Sequence, residues 1–308
     1  MSFFQSDFKL QGLCNQILSE VDARFGVKSS QISLTLITYD RPSILAIALE
    51  QPEFVNQPLR GYSHRGEELT YPASVAKLFF LVAYHEWLER KMIGATPESE
   101  RAVRDMIVCS GNDATGLIVD LLTGTTSGPE LSEAPFATWK RQRQIVNRYY
   151  HNLGVAEYGS INLCQKVWAE GPYGRERAFY GSNMENRNLL TTNATAHLLH
   201  HLILGVTVSW ERSCAMQGLL ARSLDAEDLA ADPENQVVGF LGEGLPVGAK
   251  LWSKAGWMSR VRHDAAYVEV PGGNAFTLVV FSEGTADQAE FLPFIGRAIA
   301  AAVGNGEI

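Results

Sequence analysis

Residues Lys250–Phe281, KLWSKAGWMSRVRHDAAYVEVPGGNAFTLVVF, decide the fold. Apolar, β-branched and aromatic residues dominate Lys250 to Lys254, Asp264 to Val270 and Phe276 to Phe281. Pro271-Gly272-Gly273-Asn274 supplies a turn between the last two, so the stretch reads as strands of an antiparallel sheet. A helix is expected after it, from about Ala286 to Val303. The other end of the chain has the same ingredients. Leu10, Leu13, Cys14, Ile17, Leu18, Val21 and Phe25 recur every three or four residues, one face of a helix, and Gly26 stops it. Ile32 to Tyr39 and Ile44 to Leu49 are then rich in β-branched and apolar residues, and Asp40-Arg41-Pro42-Ser43 between them predicts a hairpin.

Helical periodicity fills the middle: Val75 to Arg90, Ser99 to Cys109, Asp113 to Leu122, Thr138 to His151, Thr192 to Leu204 and Glu211 to Leu220. Within it, Gly171 to Asn188 is rich in Gly and Asn and reads as a long loop, a length that usually serves a site. The expected fold is therefore α+β in two lobes. Residues 1–73 plus 221–308 form an antiparallel sheet with flanking terminal helices, and residues 74–220 form an all-helical lobe inserted between them.

Composition narrows the function. The 308 residues are 46% hydrophobic and 19% charged, with a formal net charge of −8, so the chain folds on a sizeable core and offers no cationic surface to nucleic acid. No run is long enough to span a bilayer, and Met1 to Leu10 lacks the cationic-then-apolar order of a secretory signal. Cys14, Cys109, Cys164 and Cys214 lie far apart without CxxC or Cys/His spacing, which predicts reduced thiols and neither a metal nor another cofactor. The expected location is the cytoplasm, or the periplasm if a leader has been removed.

Three short motifs carry chemistry. Ser74-Val75-Ala76-Lys77 opens a helix after Pro72, and residues three apart share a helix face. Lys77 beside Ser74 would activate the hydroxyl if burial kept the amine neutral. Ser110-Gly111-Asn112 precedes the next-but-one helix and offers a hydroxyl for proton transfer and an amide for a substrate carbonyl; helix capping is its simpler reading. Lys254-Ala255-Gly256, the one KxG in the chain, puts a cation at a strand end and a residue without a side chain beside it. Alone each is weak: Ser6-Asp7-Phe8-Lys9 also fits SxxK, and Ser160-Ile161-Asn162 also fits SxN. Their order and setting carry the weight.

That order, from about residue 30 onward, resembles the class A serine β-lactamases and their penicillin-binding relatives. Ser110-Gly111-Asn112-Asp113-Ala114-Thr115-Gly116-Leu117 is similar to the family's SDN helix start, and Leu189-Leu190-Thr191-Thr192-Asn193-Ala194-Thr195-Ala196 resembles the segment after its omega loop. The resemblance implies a hydrolase opening β-lactam amides, its small-molecule substrate, through an ester on Ser74. Lys77 would activate that serine and Ser110 assist proton transfer. Asn112 would bind the substrate amide and Lys254, followed by Gly256, its carboxylate, while the backbone amides of Ser74 and Trp257 form an oxyanion hole. Departures are visible too. Ala255 stands where the family carries Thr or Ser, the interval from Ser74 to Ser110 is short, and that from Ser110 to Lys254 is long. The omega-loop glutamate has no clean match; Glu176 and Glu185 are its candidates.

Other residues read more simply. His197 and His201 are four apart on a helix but lack an HExxH glutamate, and His64 lacks a GxSxG neighbour. Arg260 and Arg262 are placed to replace the hydroxyl lost at Ala255. Two further readings stay open: an esterase, amidase or D-Ala peptidase-like enzyme on the same chemistry, and a penicillin-binding sensor or interaction domain without turnover.

Overall fold

Gly26 takes the left-handed conformation at φ 69° and closes the first helix on Asp22, while Asp7 caps its start by accepting from the Lys9 and Leu10 N–H groups. Both signals are local, and the helix between them matches the periodicity. The computed structural model describes residues 3–168 and 171–308. In chain order the elements begin β1 (Phe4–Ser6), α1 (Phe8–Phe25), β2 (Ile32–Thr38) and β3 (Leu59–His64). Then come α2 (Ala76–Glu89), α3 (Pro97–Val108), α4 (Asn112–Thr123), α5 (Glu133–Arg143), α6 (Ile145–Asn152) and α7 (Gly174–Tyr180). The chain ends with α8 (Thr192–Leu204), α9 (Trp210–Leu220), β4 (Ala221–Arg222), α10 (Ala226–Ala231), β5 (Lys250–Met258), β6 (Val261–Glu269), β7 (Ala275–Ser282) and α11 (Phe291–Gly304).

These elements fall into two compact units, Met1–Glu68 with Thr191–Ile308, and Leu69–Leu190. In the first, seven strands run in the order β1-β3-β2-β7-β6-β5-β4, antiparallel except for the β1–β3 pair. The apolar face of α1 packs with α11 and the sheet around Leu18, Leu36, Leu278 and Ile295, all buried. The second unit is helical. The expected insertion, 74–220, therefore ends too late: α8 packs on β2, β6 and β7 and is part of the sheet unit, because nearly its whole circumference is buried, its polar residues included, and Thr192, Asn193 and His200 find their partners on Thr35 and Tyr39.

The hairpin expected of Ile32–Tyr39 and Ile44–Leu49 is a second correction. β2 pairs instead with β3, Leu34 opposite His64 and Thr38 opposite Arg60. Residues 44–49 cannot join the ladder because their N–H groups are taken elsewhere: Ile44 donates to the Tyr267 hydroxyl at 2.8 Å and Ala46 to the Ile203 carbonyl at 2.7 Å. Pro42, Pro52 and Pro58 punctuate the rest of the connection. The single helix expected over Thr138–His151 is two, α5 and α6, and the loop 171–188 contains α7. Among the described residues, no helix is long and apolar enough to cross a membrane.

Candidate active site

The approach to Ser74 is pinned from behind. Thr70 and Leu190 exchange backbone hydrogen bonds at 2.9 and 3.0 Å, and Val75 N–H donates to the Pro72 carbonyl at 3.0 Å. Ala73, the residue before the serine, is buried and holds a left-handed φ of 46°. Such a conformation in a residue with a Cβ costs on the order of 1–3 kcal/mol and persists only where its surroundings enforce it. The turn Ala73–Val75 leads straight into α2, so the backbone N–H of Ser74 lies at the positive end of a helix.

α2 buries nearly its whole surface, and Lys77 is the cation inside it, with no exposed area. A buried ammonium must be met by acceptors. Nζ donates to the Ser110 carbonyl at 2.5 Å, to Ser110 Oγ at 3.2 Å and to Asn112 Oδ1 at 2.9 Å. Burial nevertheless pulls its pKa down to about 7, so near neutrality a large fraction is free amine. Ser110 is presented by strain of the same kind as at Ala73, with φ 54°. Gly111 N–H donates to the Asp105 carbonyl at 2.9 Å and Thr115 Oγ1 to the Gly111 carbonyl at 2.6 Å, locking the tip between α3 and α4. Sequence spacing put Lys77 beside Ser74; the structure adds that Lys77, Ser110 and Asn112 form one cluster.

The rival matches are structural. Asn162 Nδ2 donates to the Arg187 carbonyl at 2.8 Å and its Oδ1 accepts from Asn147 at 2.5 Å, stitching a loop. Lys9 is an exposed residue of the first turn of α1. Of the two glutamates, Glu176 is buried on α7 and accepts from Arg143 Nη2 at 2.5 Å and Ser127 Oγ at 2.9 Å. Glu185 is an exposed loop residue bonded to Asn183. Sequence reading missed the cluster around Glu176, where Lys166 donates to Asp120 Oδ2 at 2.5 Å and the fully buried Arg143 lies 3.6 Å from Asp120 Oδ1. Its one signal was a charged residue inside the apolar periodicity of α4.

Lys254, Gly256 and Trp257 lie on β5 in the sheet unit, opposite Ala265, His263 and Arg262 on β6. Lys254 is fully buried and donates to Gln236 Oε1 and, at 2.9 Å, to the Ala255 carbonyl. Ala255 belongs to the apolar cluster shared with α1 and α11. Trp257 is 61% exposed and its Nε1 donates to the Ala286 carbonyl at 3.1 Å. The guanidinium of Arg262, expected to meet a substrate carboxylate, is occupied: it donates to the Ala286 carbonyl at 3.2 Å and the Gly239 carbonyl at 3.1 Å and lies over the Trp257 ring. Gln236 and Asp264 were not found from sequence. Asp264 is fully buried, accepts from the Leu241 and Ala265 N–H groups, and is pushed by burial to about 7.

His197 and His201 stack at 4.2 Å in the sheet unit, and among the described residues no group of three or more His, Cys, Asp or Glu is arranged to hold a metal. All four cysteines are free.

A family model described as "Beta-lactamase enzyme family" matches residues 86–304, more than two-thirds of the chain. Solved structures share the fold at low identity. A beta-lactamase from Sphaerobacter thermophilus is 18% identical with a TM-score of 0.63, over 97% of this chain and 98% of that one. A single-site mutant of PBP-A, in an acyl-enzyme complex with penicillin G, is 15% identical with a TM-score of 0.65 over the whole of both chains. A class A beta-lactamase representative from Bacteroides cellulosilyticus is 14% identical with a TM-score of 0.62, over 96% of this chain and 99% of that one. No curated protein matches the sequence. The mixed α+β architecture expected from sequence is the one these structures have.

Proposed function

Because the chain belongs to the beta-lactamase enzyme family, we propose that it is a serine hydrolase that opens β-lactam amides through an ester on Ser74, and so takes part in antibiotic breakdown. The observation that carries this is the buried Lys77 with its three acceptors and its pKa of about 7. As free amine it takes the Ser74 proton while Oγ attacks the lactam carbonyl. The tetrahedral intermediate collapses with cleavage of the C–N bond. The departing nitrogen takes a proton from Ser110 Oγ, and the Lys77 ammonium returns one to Ser110 across the 3.2 Å contact. The N–H of Ser74 at the helix start supports the developing oxyanion, and Asn112 Oδ1 fixes Lys77.

Deacylation needs a base for water. Glu176 is held by Arg143 and Ser127, which favours a second reading, a penicillin-binding protein whose ester persists. Intact-protein mass after incubation with benzylpenicillin, paired with nitrocefin turnover and repeated with Ser74→Ala, separates the two. An adduct lost in the variant with turnover supports the lactamase, and an adduct without turnover the slow-release protein. Neither adduct nor turnover refutes both, and hydrolysis of p-nitrophenyl esters in their place would mark an esterase.

A further inference from the structure

The 20-residue connection between β2 and β3, in which Ile44–Leu49 was expected to be the second strand of a hairpin, instead walls a cavity of about 420 Å³ in the sheet unit, lined among others by Thr38, Tyr39, Arg41, Gln51, Phe54 and Arg60. That is within the range of small-molecule sites. The wall is held in place. The Arg41 carbonyl accepts from Ala275 N–H at 2.8 Å, and the anchors of Ile44 and Ala46 described above fix the loop beyond it.

Two features of the lining lack an answer inside the protein. Arg60 is neutralised by Asp7 at 2.9 Å and Asp40 at 3.1 Å. Arg41 has no carboxylate within ion-pair distance among the described residues; one N–H donates to Gln51 Oε1 at 3.1 Å, and the guanidinium stacks on the Phe54 ring at 5.0 Å. A guanidinium has five donors in a planar fork that fits a carboxylate. Thr38 lines the wall and is only 6% exposed, with an Oγ1 that is buried and has no hydrogen-bond partner, so a turn of its side chain toward the cavity brings the hydroxyl to a polar guest without breaking an existing bond. With Arg60 already paired to Asp7 and Asp40, the cation this cavity offers a guest is Arg41. The buried faces of Phe54 and Leu59 give it an apolar floor.

The geometry points to a second binding site, distinct from Ser74, that takes a small organic monocarboxylate: the carboxylate on Arg41 and the Thr38 hydroxyl, the apolar body against Phe54 and Leu59. It does not depend on the catalytic reading. Phenylacetate is a suitable probe, with phenylacetamide and inorganic phosphate as controls, measured by calorimetry on the full chain. Saturable binding of phenylacetate is expected, with phenylacetamide at least about tenfold weaker, as loss of a charge-assisted bond implies. Arg41→Gln should weaken phenylacetate by a similar factor. Thr38→Val, which removes a hydroxyl without a partner and so leaves the thermal midpoint unchanged or higher, should weaken it by a smaller one. No saturable binding by phenylacetate overturns the proposal. Equal binding of the amide, tighter binding of phosphate, or phenylacetate binding unchanged in both well-folded variants would do so as well.

Discussion

Lys77 Nζ donates to the main-chain carbonyl of Ser110 at 2.5 Å while Ser110 sits at φ 54°, so the buried cation and the strained residue hold each other in place. The left-handed backbone supplies the carbonyl among the lysine's three acceptors, and the lysine joins the Gly111–Asp105 and Thr115–Gly111 bonds in holding the turn. Ser110→Gly keeps that carbonyl, relieves the strain and removes the hydroxyl. It should be more stable than Ser110→Ala by about 1 kcal/mol, while both lose about 100-fold in acylation rate. Chemical denaturation beside stopped-flow acylation checks both; equal stability would show that the backbone there is not strained.

The same lysine sets a pH profile. With its pKa at about 7, acylation should rise about tenfold per pH unit in the acid range and level off above about 7. Stability carries the opposite face of this. The folded-state pKa lies below the unfolded value of 10.5, so the unfolded chain binds the extra proton between them and the protein gains stability as pH rises from about 7 to 10.5. Lys77→Met should abolish acylation yet raise the melting temperature at pH 6, by on the order of 2–4 °C. A fall in the melting temperature would mean that the three acceptors fully compensate the burial.

Sequence legibility followed locality. α1 was readable because its stripe, its Asp7 cap and its Gly26 stop are all local. β5, β6 and β7 were readable as apolar runs between turns, although their register was not. The mispaired hairpin failed because Ile44–Leu49 is apolar for a different reason: its N–H groups dock on Tyr267 and Ile203, more than 150 residues away. The motif residues were legible as types at spacings, and the structure brings Lys77, Ser110 and Asn112 of those motifs into one cluster. The pairings that pin their neighbours, Glu176 with Arg143 and Lys254 with Gln236, join distant segments with no shared period. For the same reason Arg262 looked available on its strand until its bonds to Ala286 and Gly239 were seen.

Glu176→Gln tests which role that carboxylate has. Arg143 is fully buried and Glu176 is its 2.5 Å partner, so removing the charge should destabilise by about 3–5 kcal/mol. If the carboxylate only anchors α7, acylation and deacylation rates per folded molecule at low temperature stay as in the wild type. Rapid acylation with a blocked second step would instead make Glu176 the base for water.

Lys254→Ala addresses the substrate carboxylate. If Lys254 attracts that group, KM for a penicillin should rise at least about tenfold while the penicillin methyl ester is little affected. Equal loss on both substrates, with a lowered melting temperature, would assign Lys254 to packing against Gln236 alone.

Asp264 supplies the last prediction. It is buried on β6 opposite Ala255, and its carboxyl is pushed to about 7 from an ordinary 3.8, chiefly by burial, against the pull of two N–H donors and of Lys254 and Arg222. For an acid whose folded pKa is raised, the unfolded chain releases its proton first. The contribution to stability is therefore full below about 3.8 and declines as pH climbs to about 7. Asp264→Asn has no such proton to release. Its melting temperature relative to wild type should rise between pH 5 and pH 8, by on the order of 5 °C. A constant difference across that range would mean that Asp264 is ionised throughout and that the cations and N–H groups around it outweigh its burial.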